Sequence, residues 1–207
     1  MRKTGTLLFI LFTTFSVTLP ALDVTVGPRV GLGYAFFYGD DYSDYLDAAD
    51  AERAFTLGFV IGAFAEIGIL PFLAIQPEVL FSGGGAYENL NPGYRYIQTT
   101  HVELPVLVKA KLVADLIHVF VGPNLMIPVG QWTSETDSMQ VDIDMDTVAD
   151  AIFGTVFGVG IRVPAGNGRF EIDLRGHLAL TPYGESSASP DYRTGLVLTT
   201  VGYAFDL

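Results

Sequence analysis

Ten ionisable residues each interrupt an otherwise apolar stretch: Arg29, Glu66, Glu78, Glu103, Lys109, Lys111, Arg162, Glu171, Asp173 and Arg175. Within a stretch they recur at even spacing. Glu103, Lys109 and Lys111 share one parity, as do Glu171, Asp173 and Arg175. On an extended chain, alternate positions point to the same side. Two kinds of chemistry follow from such a row. Lining a water-filled space, it guides ions and makes a pathway or a gated pore. Facing a confined space, it must neutralise itself, because an unpaired buried charge is costly. The set holds five positive and five negative residues, a balance that favours an internal ion-pair network over a conducting path. Arg162 and Glu171 lie symmetrically about residues 165–168, which predicts that they are cross-strand neighbours. Glu78 and Glu103 fall near each other about the break at 86–94. Two carboxylates that close need a cation, and Arg29 or Arg175 is expected to supply it.

His101, His118 and His177 lie on the same side as the charges. A His and Ser pair would suit a barrel enzyme acting on lipid, but no serine is close in sequence to any of them. A metal centre needs at least three convergent ligands, and the histidines fall at different heights along their strands. They read as hydrogen-bonded interior residues, with no catalytic, cofactor-binding or metal role. Asp142, Asp144 and Asp146 alternate like the opening of a calcium loop, without its glycine or closing glutamate. A solvated acidic loop is preferred there over a weak divalent-ion site. The glycines of FGVGIRV recur at period two with no helix after them, so they do not form a nucleotide loop.

The elements that position these side chains are short and extended. Half of the 207 residues are hydrophobic. Past the N-terminus, however, no apolar run approaches the ~20 residues of a membrane-spanning helix. Eight alternating stretches are read at 24–38, 54–68, 72–85, 95–112, 116–132, 151–164, 169–182 and 194–207. The breaks at 39–53, 86–94, 133–150 and 183–193 are long, and those at 69–71, 113–115 and 165–168 are short. Each stretch has one aliphatic face. Phe55, Leu57, Phe59 and Ile61 form one such face, and Val102, Leu104, Val106 and Val108 another. The opposite, mixed face carries the charges and many glycines, including Gly58, Gly62, Gly122, Gly154, Gly158 and Gly160. A soluble barrel would place its apolar face inside. Here the mixed face suits the narrow lumen of eight strands, and the charge-free face suits lipid. In lipid the backbone must be paired all round. The fold class is therefore all-β, an eight-stranded antiparallel transmembrane up-and-down β-barrel. Short turns are expected on the periplasmic side and long loops outside. Aromatic girdles should lie near Tyr34, Phe36, Tyr38, Tyr94, Tyr96, Trp132, Phe153, Tyr183 and Tyr192 at one end. Phe72, Phe170, Tyr203 and Phe205 should form the other.

Residues 1–21 read as a secretory signal: Arg2 and Lys3, an apolar run from Gly5 to Leu19, then Pro20 and Ala21. The barrel domain is 22–207. The absence of cysteine rules out disulfides, zinc–thiolate sites and a lipid-modified cysteine. The net charge of −12 argues against nucleic acid as a partner. Much of it sits in loops 39–53 and 133–150, with six acids each. A short helix is expected around Tyr45 to Arg53. The partners implied are outer-membrane lipid and, through the C-terminal strand VGYAFDL, the barrel-assembly machinery. No cofactor is expected.

Gln76-Pro77-Glu78, Glu103-Leu104-Pro105, Gly122-Pro123 and the final VGYAFDL resemble the PorT-like family of small outer-membrane β-barrel proteins. The resemblance spans nearly all of the mature chain. It implies a barrel in the outer membrane rather than a particular chemistry. The leading expectation is a structural or surface-interaction barrel with a largely plugged lumen. A small passive channel and a lipid-acting enzyme are the rivals.

Overall fold

Side chains that alternate over eight stretches give the backbone one way to hide both its apolar face and its polar groups, which is to close the sheet on itself. The computed structural model takes that solution. It describes residues 23–48, 52–89, 94–113, 115–135, 141–142, 149–183 and 192–206. The expected signal segment, and most of the 133–150 loop with its Asp144 and Asp146, lie outside the described residues.

The barrel strands are β1 (Val24–Tyr38), β2 (Glu52–Leu70), β3 (Leu73–Asn89) and β4 (Tyr94–Leu112), followed by β5 (Ile117–Glu135), β6 (Ile152–Ala165), β7 (Gly168–Ala179) and β8 (Arg193–Asp206). Each pairs antiparallel with its neighbours in sequence. β1 also pairs with β8, from Thr25↔Asp206 to Tyr38↔Arg193, which closes the barrel. No described helix is long and apolar enough to cross a membrane.

The two faces fall as the alternation requires. Leu32, Leu57 and Leu174 point outward and are 61, 68 and 56% exposed, whereas Arg29, Lys109 and Glu171 point inward and are at most 1% exposed. Outward rings meet at both ends. Phe55 touches Tyr34 and Phe36 at the long-loop end, and Tyr203 touches Phe170 and Phe205 at the short-turn end.

The short turns are tight. Gly166 has φ +61°, a conformation that glycine adopts without strain. Asp115 has φ +68° in the β4–β5 turn. Among residues with a side chain, Asp is one of the few that enter this region readily.

Three expectations are corrected at the other end. The helix of the first loop, α1, spans Asp40–Ala48 rather than 45–53, and Arg53 belongs to β2. Acids in a first turn complement the helix dipole, and Gly39 O accepts from both Ser43 N and Ser43 Oγ. The break expected at 86–94 is mostly paired ribbon, running to Asn89↔Tyr94. Its polar composition marked departure from an apolar environment, not the end of pairing. β7 stops at Ala179, short of 182, and Leu180 N and Thr181 N bond Phe153 O instead. With the alternation broken, Tyr183 turns into the barrel mouth rather than joining a girdle, and stacks on Tyr192 at 5.7 Å between ring centres. Phe37, Tyr42 of α1 and Ala86 form a buried cluster beside them.

β2 to β5 are 17–19 residues long and the other strands 12–15. One wall of the barrel therefore stands taller. β6 covers β5 only as far as Met126↔Ile152. Beyond it, the two-residue strand Val141–Asp142 pairs with Trp132 and Thr133.

Candidate functional site in the lumen

All ten charged residues of the sequence reading lie inside the barrel. Nine of them join one ion-pair network. At the short-turn end, Glu66 takes Lys109 at 3.1 Å, Lys111 at 2.9 Å and a direct contact from Arg162. Arg162 also reaches Glu171 at 3.0 Å, and Arg162↔Glu171 is a register pair, as the hairpin arithmetic requires. Lys109 Nζ sits 2.9 Å from Glu171. One layer higher, Arg29 donates to Asp173 at 2.6 Å and Glu171 at 2.9 Å, and lies 3.4 Å from Glu78. Arg175 grips Glu78 with both terminal nitrogens, at 3.0 and 2.9 Å. Aromatic rings finish the layer: the Arg29 guanidinium lies 4.6 Å from the centre of Phe64 and that of Arg175 4.9 Å from Phe120.

Two glycines make these contacts feasible. Gly202 is the register partner of both Arg29 and Glu171, so their bond passes over it. Gly160 stands likewise between His118 and Asp173, whose side chains meet at 2.7 Å. A Cβ on Gly160 would lie 2.1 Å from Asp173 Oδ1 and 2.5 Å from His118 Nε2. Lumen-face glycine is thus the device by which side chains two strands apart join.

The tenth charge departs from expectation. Glu103 is paired by neither arginine. It accepts from Asn124 Nδ2 at 2.6 Å and bonds His177 Nδ1 at 2.8 Å. The physical reason is height: Glu103 pairs in register with Leu80, two residues beyond Glu78. Arg175, already held in two-pronged contact with Glu78, lies a layer below it.

The three histidines have separate partners. His118 meets Asp173, His177 meets Glu103, and the His101 ring lies edge-on to Tyr183 at 5.7 Å. One group of possible metal ligands converges among the described residues: ligand atoms of His118, Glu171 and Asp173 lie within 4.8 Å of one another. Arg29 and Lys109 already supply cations to its carboxylates. The sequence reading missed Gln76, which bonds Glu78, and Asn124. It also missed the rim pairs Arg162–Asp115 at 2.5 Å and Arg169–Asp206 at 2.7 Å. Asn124 shares the parity of His118, which would have flagged it. Of the rim residues only Asp115 lies in a turn, where parity is lost; Arg169 and Asp206 lie at strand ends.

The pattern of the outer membrane protein beta-barrel domain family matches residues 16–183. The chain belongs to this family. No curated protein matches it. Among solved structures, this barrel domain is similar to Ail, the attachment invasion locus protein of Yersinia pestis, in complex with the heparin analogue sucrose octasulfate. That match has 12% identity, covers 88% of this chain and 99% of that one, and has a TM-score of 0.46. Neisserial surface protein A is 11% identical over 88% of this chain and 97% of its own, with a TM-score of 0.47. OprG from Pseudomonas aeruginosa is 8% identical over 90% and 97%, with a TM-score of 0.46. The family places the barrel in the outer membrane. Its apolar outward face is then the lipid face, and its pairing all round meets the demand that lipid makes of a backbone.

Proposed function

We propose that this outer-membrane barrel has a sealed lumen and serves a structural or surface-interaction role through its acidic long-loop end. The observation that carries the reading is the spread of the ion pairs around the wall. Arg162 of β6 reaches Glu66 of β2, Arg175 of β7 reaches Glu78 of β3, and Lys109 of β4 reaches Glu171 of β7. Opposite charges held this close in a confined space attract strongly and leave little room for a water column. A passive channel would favour a wider barrel or one sign of charge along a path. A lipid-acting enzyme would need its base within reach of lipid, whereas His177 is 1% exposed and faces inward.

Within the family the chain reads as PorT-like, on Gln76-Pro77-Glu78 and Glu103-Leu104-Pro105. Two of these residues, Glu78 and Glu103, line the lumen, Glu78 held by Arg175 and Glu103 by His177. Export by residues 1–21, and delivery to the assembly machinery through the strand bearing Tyr203 and Phe205, complete the proposal. The long-loop end, with Asp40, Asp44 and Asp47 exposed on α1, would face outward. Purified protein in a planar bilayer tests the seal. No steady conductance is expected at neutral pH, and regular single-channel steps from the unmodified chain would promote the channel.

A further inference from the structure

The lipid-facing side of the wall carries three threonines among the described strand residues: Thr100, Thr155 and Thr199. Two of them are satisfied within the sheet. Thr100 Oγ1 donates to Gly130 O at 3.2 Å, and Thr155 Oγ1 to Gly122 O at 3.0 Å. Thr199, outward and exposed on β8, makes no side-chain hydrogen bond to any described residue. Its depth makes that unfavourable. Four residues one way along β8, Gly195 lies under the Phe36 ring of the upper girdle, where a Cβ would be 2.5 Å from Phe36 Cζ. Four residues the other way, Tyr203 meets Phe170 and Phe205 in the lower girdle. At about 3.3 Å per residue, the hydroxyl is ~13 Å of strand from either belt. It faces the middle of the hydrocarbon, beyond the reach of water and lipid head groups, where a polar group without a partner is costly.

Thr199 is also recessed. Its register partners Leu32 and Leu174 rise on either side of it, 61 and 56% exposed. Beside it a shallow groove crosses β1, lined by Val30, Phe59, Ile61 and Val201. The groove is open because Phe59 leans away from it, over Gly83 of β3, whose Cβ would lie 2.4 Å from the ring. An acyl chain fills such a groove but offers nothing to a hydroxyl. A protein side chain does, and threonine is a common residue at contacts between proteins within a membrane. Symmetry then names the protein. A hydroxyl both donates and accepts, so Thr199 is its own complement across a two-fold axis, and two-fold contacts join identical patches.

We propose that a second copy of this chain docks on the wall formed by β1, β8 and β7, about a two-fold axis along the membrane normal that passes through a Thr199 pair. Barrel strands tilt by roughly 35–45°. The axis therefore brings the two Leu32 side chains together on one side of the threonine pair and the two Leu174 on the other, so the leucines interleave instead of colliding. The lumen charges face the other way, and the contact holds whether or not the barrel conducts.

The chain has no cysteine, so single-cysteine variants of the full chain, exported to the outer membrane of cells and oxidised there, test the axis directly. Thr199→Cys should give a disulfide-linked dimer. Val106→Cys, outward on β4 at the opposite side of the ring and 46% exposed, should stay monomeric. Monomer from both would leave the groove to lipid and overturn the proposal, and so would equal dimer from both, which means random collision. A second measurement uses Thr199→Val, which keeps the shape and removes the hydroxyl. Energy transfer between copies labelled through Asp44→Cys in vesicles should show self-association weakened about threefold, the usual worth of one such bond in a membrane, while Thr199→Ser should retain it. The same self-association with Val as with Thr would overturn the hydroxyl pair.

Discussion

Replacing Arg29 by Met tests the network at its most connected point. Met keeps an apolar stem against Phe64 but removes the guanidinium, which bonds Asp173 at 2.6 Å and Glu171 at 2.9 Å and lies 3.4 Å from Glu78. The three acids are not left equally exposed to the loss. Glu171 keeps Lys109 and Arg162, and Glu78 keeps both prongs of Arg175. Asp173 keeps only His118 at 2.7 Å. The imbalance therefore settles on Asp173, which is 1% exposed. Breaking a buried pair from one side typically costs about 3–5 kcal/mol. Because two of the three acids stay paired, the lower end of that range, about 3 kcal/mol, is expected. The double variant R29M/D173N removes the stranded charge as well, and should recover roughly half of the loss. Urea unfolding from phospholipid vesicles, followed by the fluorescence of the single tryptophan, measures both. Asp44→Asn on the exposed face of α1 is the control and should leave the midpoint unchanged. An R29M barrel within about 1 kcal/mol of the parent would refute the premise that these charges are buried and mutually dependent.

Two further predictions probe the two faces of the wall. Arg in place of Val106 or Leu174, both outward and 46 and 56% exposed, should cost about 2–4 kcal/mol if near mid-membrane. It should also lower the folding yield into vesicles, whereas Arg at Asp44 should be harmless; equal tolerance at both places would invert the assignment of faces. Gly160→Ala should cost roughly 1–3 kcal/mol, since its Cβ would enter the His118–Asp173 contact. Unfolding midpoints check this, and a neutral result would mean that the contact passes elsewhere.

The strand pattern and the sidedness of the ten lumen charges were legible because a strand has a period of two, and a one-residue slip would bury the aliphatic row and expose the charges. Arg162 with Glu171 was legible for a related reason: across a tight turn, register is a matter of counting. The same counting failed where alternation lapsed. Tyr183 follows the end of β7 and turns inward, a direction that no parity assigns. The helix around Asp40 was misplaced because its acids could mark a solvated loop as easily as a helix start.

What the residues by themselves determined is which side chains must share the lumen, and that they must cancel, since that follows from alternation and from the cost of burying charge. Apart from Arg162 with Glu171, which acid meets which base was decided only by closure. Arg29 and Asp173 are 144 residues apart, Arg175 and Glu78 97 apart, and His177 and Glu103 74 apart. Such pairs are set by the stagger accumulated around eight strands, a property of the whole ring that no single hairpin contains. Glu103 shows the consequence: two residues of height along the barrel separate it from the arginine it was expected to meet, and leave it to His177.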